Sequence, residues 1–129
     1  MSTQADGDGP LLGVKVLVVE DEFLVADDMA RAVAGLGGEV VGPFSLAESG
    51  LAALDEEEIG LAILDVNLQG ERVFALADQL AERNVPFIFA TGYDKWVLPP
   101  RHRERLRLEK PVTARVLKNA ILQVRESRA

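Results

Sequence analysis

Five short apolar stretches recur along the chain, and longer segments of mixed polarity separate them. Each stretch has four to seven residues, and most are rich in valine, isoleucine or phenylalanine. Runs of this length and composition predict buried β-strands. The predicted strands cover residues 14–20, 39–42, 59–65, 86–91 and 106–109.

Four other segments carry apolar residues at helical spacing. In the first, Val25, Met29 and Val33 recur every four residues before a Gly37-Gly38 stop. Such stripes predict amphipathic helices, each with one buried face. Ser45 with Glu48 predicts a capping box for the second helix, and Thr113 predicts a cap for the last. The predicted helices cover residues 22–36, 46–58, 71–83 and 114 onward.

The segment after the fourth strand interrupts this alternation. Residues 92–105 show no apolar stripe and contain Pro99-Pro100, so we expect at most about one turn of helix there. His102, the one histidine of the chain, lies among arginines in this segment. We expect it to be a solvated loop side chain rather than a phosphoryl donor.

Strands alternating with helices predict an α/β fold with a doubly wound parallel sheet, here (βα)5 with a short or irregular fourth helix. The polar, glycine-rich residues 1–12 predict a disordered leader, and residues 13–129 then form one domain with no output domain after it. In such sheets ligands bind beyond the carboxyl ends of the strands.

Composition and charge argue against nucleic-acid binding, membrane association and secretion. The chain has no cysteine and a net charge of −7, with 5 Lys/Arg against 18 Asp/Glu up to residue 100 and 9 against 3 after it. The acidic body disfavours nucleic-acid binding, and we interpret the basic tail as a solvated helix face and loop. Without a membrane-spanning run or a signal-peptide pattern, we expect a cytoplasmic protein with no membrane association.

The predicted strand ends carry the candidate chemistry. Because parallel strands share one carboxyl edge, three carboxylates, a hydroxyl and an ammonium should converge there. Clustered carboxylates need a cation, and oxygen ligands without histidine or cysteine suit Mg²⁺. A dinucleotide site is excluded because acidic residues replace the glycine-rich loop after the first strand. The residues concerned are Glu20, Asp21, Asp65, Thr91 and Lys110.

These residues, in this order, resemble the receiver domains of two-component response regulators. Such receivers have an acidic pair after strand one, a phosphoacceptor aspartate after strand three, Ser/Thr after strand four and Lys-Pro after strand five. The resemblance covers residues 13–127 and implies a flavodoxin-like fold with strand order 2-1-3-4-5. The matching positions are Glu20-Asp21, Asp65, Thr91 and Lys110-Pro111.

The resemblance also implies the roles of these residues. Asp65 would be the phosphoacceptor, and Thr91 and Lys110 would bind the phosphoryl group. Mg²⁺ or Mn²⁺ would be held by the acidic pair, by Asp65 and by the backbone carbonyl of Asn67. The bond before Pro111 is usually cis in such domains.

The function implied is phosphoryl acceptance from a histidine kinase or a histidine phosphotransfer protein. Output would pass by phosphorelay or by contact with a downstream protein target. The chain would be no enzyme beyond its own phosphorylation and slow autodephosphorylation. Two alternatives remain. One is a phosphorylation-independent interaction module, and the other is a Mg²⁺-dependent aspartyl-phosphate phosphohydrolase. Asn67 disfavours the phosphohydrolase, because such enzymes usually have an acid close after the nucleophile and Asn67 stands two residues after Asp65.

A finer resemblance is to single-domain receivers called FATGUY proteins, although Asp94 replaces the final tyrosine of their Phe-Ala-Thr-Gly-hydrophobic-Tyr stretch. Arg107 stands where receivers usually carry a switching aromatic residue. We therefore predict that the 92–105 loop itself rearranges on activation, with Tyr93 or Trp96 as the moving aromatic. Unchanged Trp96 spectra on adding a phosphoryl mimic would contradict this.

Overall fold

The computed structural model describes residues 9–66, 71–92 and 98–127, excluding the side chains of residues 71, 72 and 127. Strands and helices alternate as the apolar pattern predicts. The strands are β1 (Lys15–Val19), β2 (Glu39–Phe44), β3 (Ile59–Asp65), β4 (Phe87–Thr91) and β5 (Arg107–Glu109). The helices are α1 (Phe23–Gly35), α2 (Ala47–Glu56), α3 (Glu71–Glu82) and α4 (Ala114–Ser127).

The five strands form one parallel sheet in the order β2-β1-β3-β4-β5. This confirms the doubly wound fold and its strand order. The register aligns Val19 of β1 with Leu64 of β3, and Asp65 of β3 with Ala90 of β4. The strand ends that carry Glu20, Asp65 and Thr91 are therefore adjacent across the middle of the sheet.

Helices cover both faces of the sheet, which explains why the central strands are apolar throughout. Successive residues of a strand face opposite sides, so Leu17 packs in one core and Val18 in the other. The first core lies beneath α2 and α3 and includes Leu64, whereas the second lies beneath α1 and α4 and includes Ile63. In the part of the chain that the structure describes, no helix has the length and apolarity needed to span a membrane.

The ordered chain begins earlier than the sequence predicts. Leu11 is fully buried in the core beneath α1 and α4, and its backbone N–H donates to the carbonyl of Leu36 at 2.9 Å. Arg125 of α4 donates to the carbonyl of Pro10. The prediction of a disordered leader is therefore wrong for residues 9–12, and residues 1–8 lie outside the described part of the chain.

The predicted interruption before β5 is confirmed for the residues described there. Pro100–His102 forms a single 3₁₀ turn between Leu98 and β5. The expectation for His102 is wrong: its side chain is only 2% exposed. Its ring lies 5.8–6.3 Å, centroid to centroid, from those of Phe74, Phe87 and Phe89.

The two predicted helix caps have different outcomes. Thr113 caps α4 as expected, because its hydroxyl accepts a hydrogen bond from the backbone N–H of Val116 at 3.2 Å. At α2 the N-cap residue is Leu46, with no side-chain cap hydrogen bond, so Ser45 is not the cap. The predicted capping box is therefore wrong.

Candidate functional site

The carboxyl edge of the sheet brings the predicted acidic residues together. Glu20 follows β1 directly, Asp21 comes next, and Asp65 is the last residue of β3. One carboxylate oxygen of each lies within 4.8 Å of the others. Glu20 and Asp65 are buried and Asp21 is exposed, so the cluster opens to solvent on the Asp21 side.

Lys110 closes this cluster from the end of β5. Its ammonium nitrogen lies 3.0 Å from Glu20 Oε2 and 3.3 Å from Asp65 Oδ1. The backbone also fixes its position, since the Lys110 N–H donates to the Thr91 carbonyl at 3.0 Å. The Lys110–Pro111 bond is cis, as the resemblance implies. The lysine thus supplies a positive charge between two buried carboxylates.

The electrostatics of the cluster reflect crowded negative charge. Burial raises the pKa of Glu20 to about 7, against the lowering effect of the Glu22 backbone N–H and the Lys110 ammonium. Burial, followed by the Asp65 carboxylate, raises the pKa of Asp21. Burial alone would lower the pKa of Lys110, but hydrogen bonds to Glu22 and Glu20 outweigh it and the pKa is raised. Additional positive charge here would therefore stabilise the ionised carboxylates.

The arrangement suits a divalent cation. In the described part of the chain Glu20 Oε1 is buried and has no hydrogen-bond partner. An unsatisfied buried carboxylate oxygen is costly, and a bound cation would satisfy it. Because the donors are all oxygens, the set formed by Glu20, Asp21 and Asp65 fits Mg²⁺ or Mn²⁺.

Thr91 lies where the sequence predicts, at the end of β4 and 2% exposed. It follows Ala90, the register partner of Asp65, so it lies beside the acidic cluster. Arg107 begins β5 and donates to the Arg103 carbonyl at 3.3 Å. Three predicted residues, Asn67, Tyr93 and Trp96, lie outside the described residues, and their roles stay predictions.

One residue of the site was not identified from the sequence. Glu22 Oε1 lies 3.0 Å from the Lys110 ammonium nitrogen, and the Glu22 backbone N–H donates to Glu20 Oε2 at 3.1 Å. An acid at the start of a helix is commonly explained by the helix dipole alone. The one available signal was its position directly after the acidic pair.

A doubly wound sheet with an acidic cluster, a threonine and a Lys–cis-Pro pair at its carboxyl edge defines the class of receiver domains. No family model matches the chain. The solution structure of SdrG from Sphingomonas melonis Fr1 is 36% identical, covers 86% of this chain and 95% of its own, and superposes with a TM-score of 0.76. The BeF3-activated conformation of SdrG from Pseudomonas melonis Fr1 gives a TM-score of 0.72 at the same identity, covering 88% and 96%.

Curated relatives give the same result over part of their length. The phyllosphere-induced regulator PhyR of Methylorubrum extorquens is 30% identical over 104 residues, and the sensory transduction protein LytT of Bacillus subtilis is 32% identical over 88. These matches cover 78% and 66% of this chain but only 39% and 36% of the relatives. This chain belongs to the response regulator receiver family.

Proposed function

We propose that this chain is a phosphoacceptor signalling protein that takes a phosphoryl group onto Asp65. The observation that carries the proposal is the convergence of buried Asp65 with two further carboxylates within 4.8 Å and with the Lys110 ammonium at 3.3 Å. A carboxylate in that position can attack phosphorus while nearby positive charge offsets the repulsion between anions. The BeF3-activated conformation of the relative SdrG supports activation through a phosphoryl-like group.

Phosphoryl transfer to Asp65 is a displacement at phosphorus. An Asp65 carboxylate oxygen forms the new O–P bond, and the N–P bond of a phosphohistidine on the donor breaks. The electron pair of that bond returns to the histidine nitrogen. The donor is thus a histidine kinase or a histidine phosphotransfer protein, which agrees with membership of the receiver family.

The surrounding residues position and neutralise charge. Glu20 and Asp21, with Asp65, would hold Mg²⁺ or Mn²⁺, and the Asn67 carbonyl is proposed as a further ligand. When bound, the metal supplies neutralisation of the phosphoryl oxygens. Lys110 contributes a point charge to one phosphoryl oxygen. Thr91 donates its hydroxyl to another, a contact that exists only in the phosphorylated state and therefore shifts the equilibrium toward it.

Output passes through protein contact or by phosphoryl relay to a further histidine. Phe23 and Leu24, at the start of α1, are large apolar side chains that remain exposed. They lie beside the acidic residues, where a docking partner would reach Asp65. Exposed apolar side chains next to a reactive group are typical of partner contacts.

Phosphorylation of Asp65 tests the proposal directly. We would incubate the protein with Mg²⁺ and either candidate histidine kinases or acetyl phosphate, and follow intact mass. We expect one added phosphoryl group, removed by hydroxylamine because that reagent cleaves acyl phosphates. Asp65→Asn should abolish the addition, whereas the exposed Asp28→Asn should not. Phosphorylation that persists in Asp65→Asn excludes Asp65, and no phosphorylation of the wild type favours an interaction module.

A further inference from the structure

The Lys110 ammonium lies close to three carboxylates. An ammonium group has three N–H donors. Its nitrogen lies 3.0 Å from Glu20 Oε2, 3.0 Å from Glu22 Oε1 and 3.3 Å from Asp65 Oδ1. Hydrogen bonds to Glu20 and Glu22 take up two of these donors, and the ammonium forms an ion pair with Asp65. A phosphoryl group on Asp65 brings further negatively charged oxygens, which compete with the hydrogen-bonded carboxylates for the Lys110 ammonium.

Burial distinguishes the partner that can leave. The side chains of Glu20 and Asp65 are fully buried, whereas the Glu22 side chain is 62% exposed. A buried carboxylate that loses its counter-charge has no water to replace it, whereas an exposed one is resolvated at once. Glu22 is also outside the cluster of carboxylates that converge for a metal ion. Of the two hydrogen-bonded partners, Glu22 is therefore the one whose release costs less.

The backbone keeps Glu22 next to the lysine. Glu22 is the N-cap residue of α1, and its N–H is hydrogen-bonded to Glu20 Oε2, the same oxygen that accepts from Lys110. The conformation of the β1–α1 turn thus places the Glu22 side chain beside Lys110. An incoming phosphoryl group and the Glu22 carboxylate then compete for the Lys110 ammonium.

We propose that Glu22 is a positioning residue that holds Lys110 in the unphosphorylated state and is displaced by the phosphoryl group. This inference rests on the proposed function and adds a competing interaction within the same site. Its consequence is that Glu22 weakens phosphoryl binding at Asp65 by the strength of its own ion pair with Lys110. Displacement also frees the Glu22 carboxylate at the start of α1, beside exposed Phe23.

Beryllofluoride, a stable analogue of the phosphoryl group, provides the test. The wild type, Glu22→Gln and the control Asp28→Asn would be titrated with beryllofluoride in saturating Mg²⁺, and affinities read from ¹H–¹⁵N spectra. Asp28 is an exposed acid in the second turn of α1, so its variant reports general charge removal. We expect Glu22→Gln to bind roughly two- to fivefold more tightly, the range that an exposed ion pair accounts for, and Asp28→Asn to match the wild type.

A second readout follows the released carboxylate itself. The ¹³Cδ resonance of Glu22, assigned by its loss in Glu22→Gln, should move toward the position of a free solvated carboxylate when the wild type binds beryllofluoride. A residue that only stabilises the helix start would show no such movement. Equal affinities for Glu22→Gln and the wild type, equal gains for both variants, or a stationary resonance would each overturn the inference alone. A wild type that binds no beryllofluoride would overturn the proposed function, and this inference with it.

Discussion

His102 Nε2 lies 2.8 Å from Asp78 Oδ1 and joins the 3₁₀ turn before β5 to helix α3. Arg101 binds the same carboxylate with two hydrogen bonds, at 2.7 and 2.9 Å. The imidazole is enclosed by phenylalanine rings from α3 and β4, and Arg105 stacks over one of them, 4.7 Å from the centroid of Phe87. A polar turn is thus fixed to the sheet by one buried histidine.

Replacing this histidine should destabilise the protein. We expect His102→Ala to lower the free energy of unfolding by about 2–4 kcal/mol, because it leaves a cavity among three aromatic rings and removes the hydrogen bond to Asp78. Urea denaturation monitored by circular dichroism measures the change. His102→Phe, which keeps an aromatic ring in the cavity at a somewhat larger volume, should lose less than half as much. A loss below about 1 kcal/mol for His102→Ala would show that the turn is not held by this side chain.

The same residue predicts a pH dependence of stability. Burial lowers the pKa of His102 below 6.5, although its hydrogen bond to Asp78 opposes this, and the charges of Arg101 and Arg105 contribute to the lowering. Below pH 6.5 the unfolded chain therefore binds more protons than the folded one, so the His102 contribution to stability is lost as the pH falls. Above about pH 7.5 this contribution is constant.

Urea unfolding of the wild type and His102→Phe between pH 8 and 5.5 isolates this effect. The stability advantage of the wild type should shrink as the pH drops through 6.5. Glu20, whose pKa is raised to about 7, contributes with the opposite sign, since its folded form binds more protons between about pH 4.5 and 7. That contribution is common to both proteins and cancels in the difference. A difference that does not vary with pH would contradict the prediction.

We expect the charged Asp21 carboxylate to destabilise the folded protein and to strengthen metal binding. Burial and the Asp65 carboxylate raise its pKa, so its charge is unfavourable in the folded protein. We expect Asp21→Asn to raise the melting temperature in EDTA while weakening Mg²⁺ binding at least about tenfold. Differential scanning calorimetry and Mg²⁺ titration measure the two effects, with Asp28→Asn as the control. Unchanged Mg²⁺ affinity would remove Asp21 from the ligand set.

Two neighbouring leucines test the start of the folded domain. Leu11 is 0% exposed and Leu12 is 61% exposed. We expect Leu11→Ala to cost about 2–4 kcal/mol of unfolding free energy, whereas Leu12→Ala should change it by less than about 0.5 kcal/mol. Urea denaturation of both variants makes the comparison. Equal, small losses of unfolding free energy would show that residues 9–12 belong to the disordered leader that the sequence predicts.

The sequence predicts the strands and helices, and the edge at which Asp65, Thr91 and Lys110 lie, because these depend on local signals. The strand order comes from the resemblance to receiver domains. Apolar runs define the strands, and in a parallel sheet the residue after each run must lie at a common edge. Once the strands are assigned, Asp65 and Lys110, which are 45 residues apart in sequence, are expected at the same edge of the sheet, and in the structure Lys110 Nζ lies 3.3 Å from Asp65 Oδ1. The register does not need to be known.

Contacts between residues that are distant in sequence could not be predicted in this way. His102 is polar and flanked by arginines, and only the partner Asp78, 24 residues earlier, makes its burial possible. Leu11 follows a glycine-rich segment, and its burial depends on the end of α1. Glu22 matches the general preference for acids at helix starts, which concealed its contact with Lys110. In each case the local pattern has an ordinary interpretation and the decisive partner is distant in sequence.

The buried carboxylate of Glu20 gives the sheet a point of local frustration. The flanking strands β1 and β3 are among the most apolar parts of the chain, and they end where ionised carboxylates are hardest to accommodate. Folding favours few negative charges at this edge of the sheet, whereas binding of a cation would require several carboxylates there. The hydrophobic layers supply the surplus stability that keeps this edge assembled, and a ligand that relieves the repulsion makes the fold more stable as it binds. Under the proposed function, signal reception would be a release of frustration that the folded chain already contains.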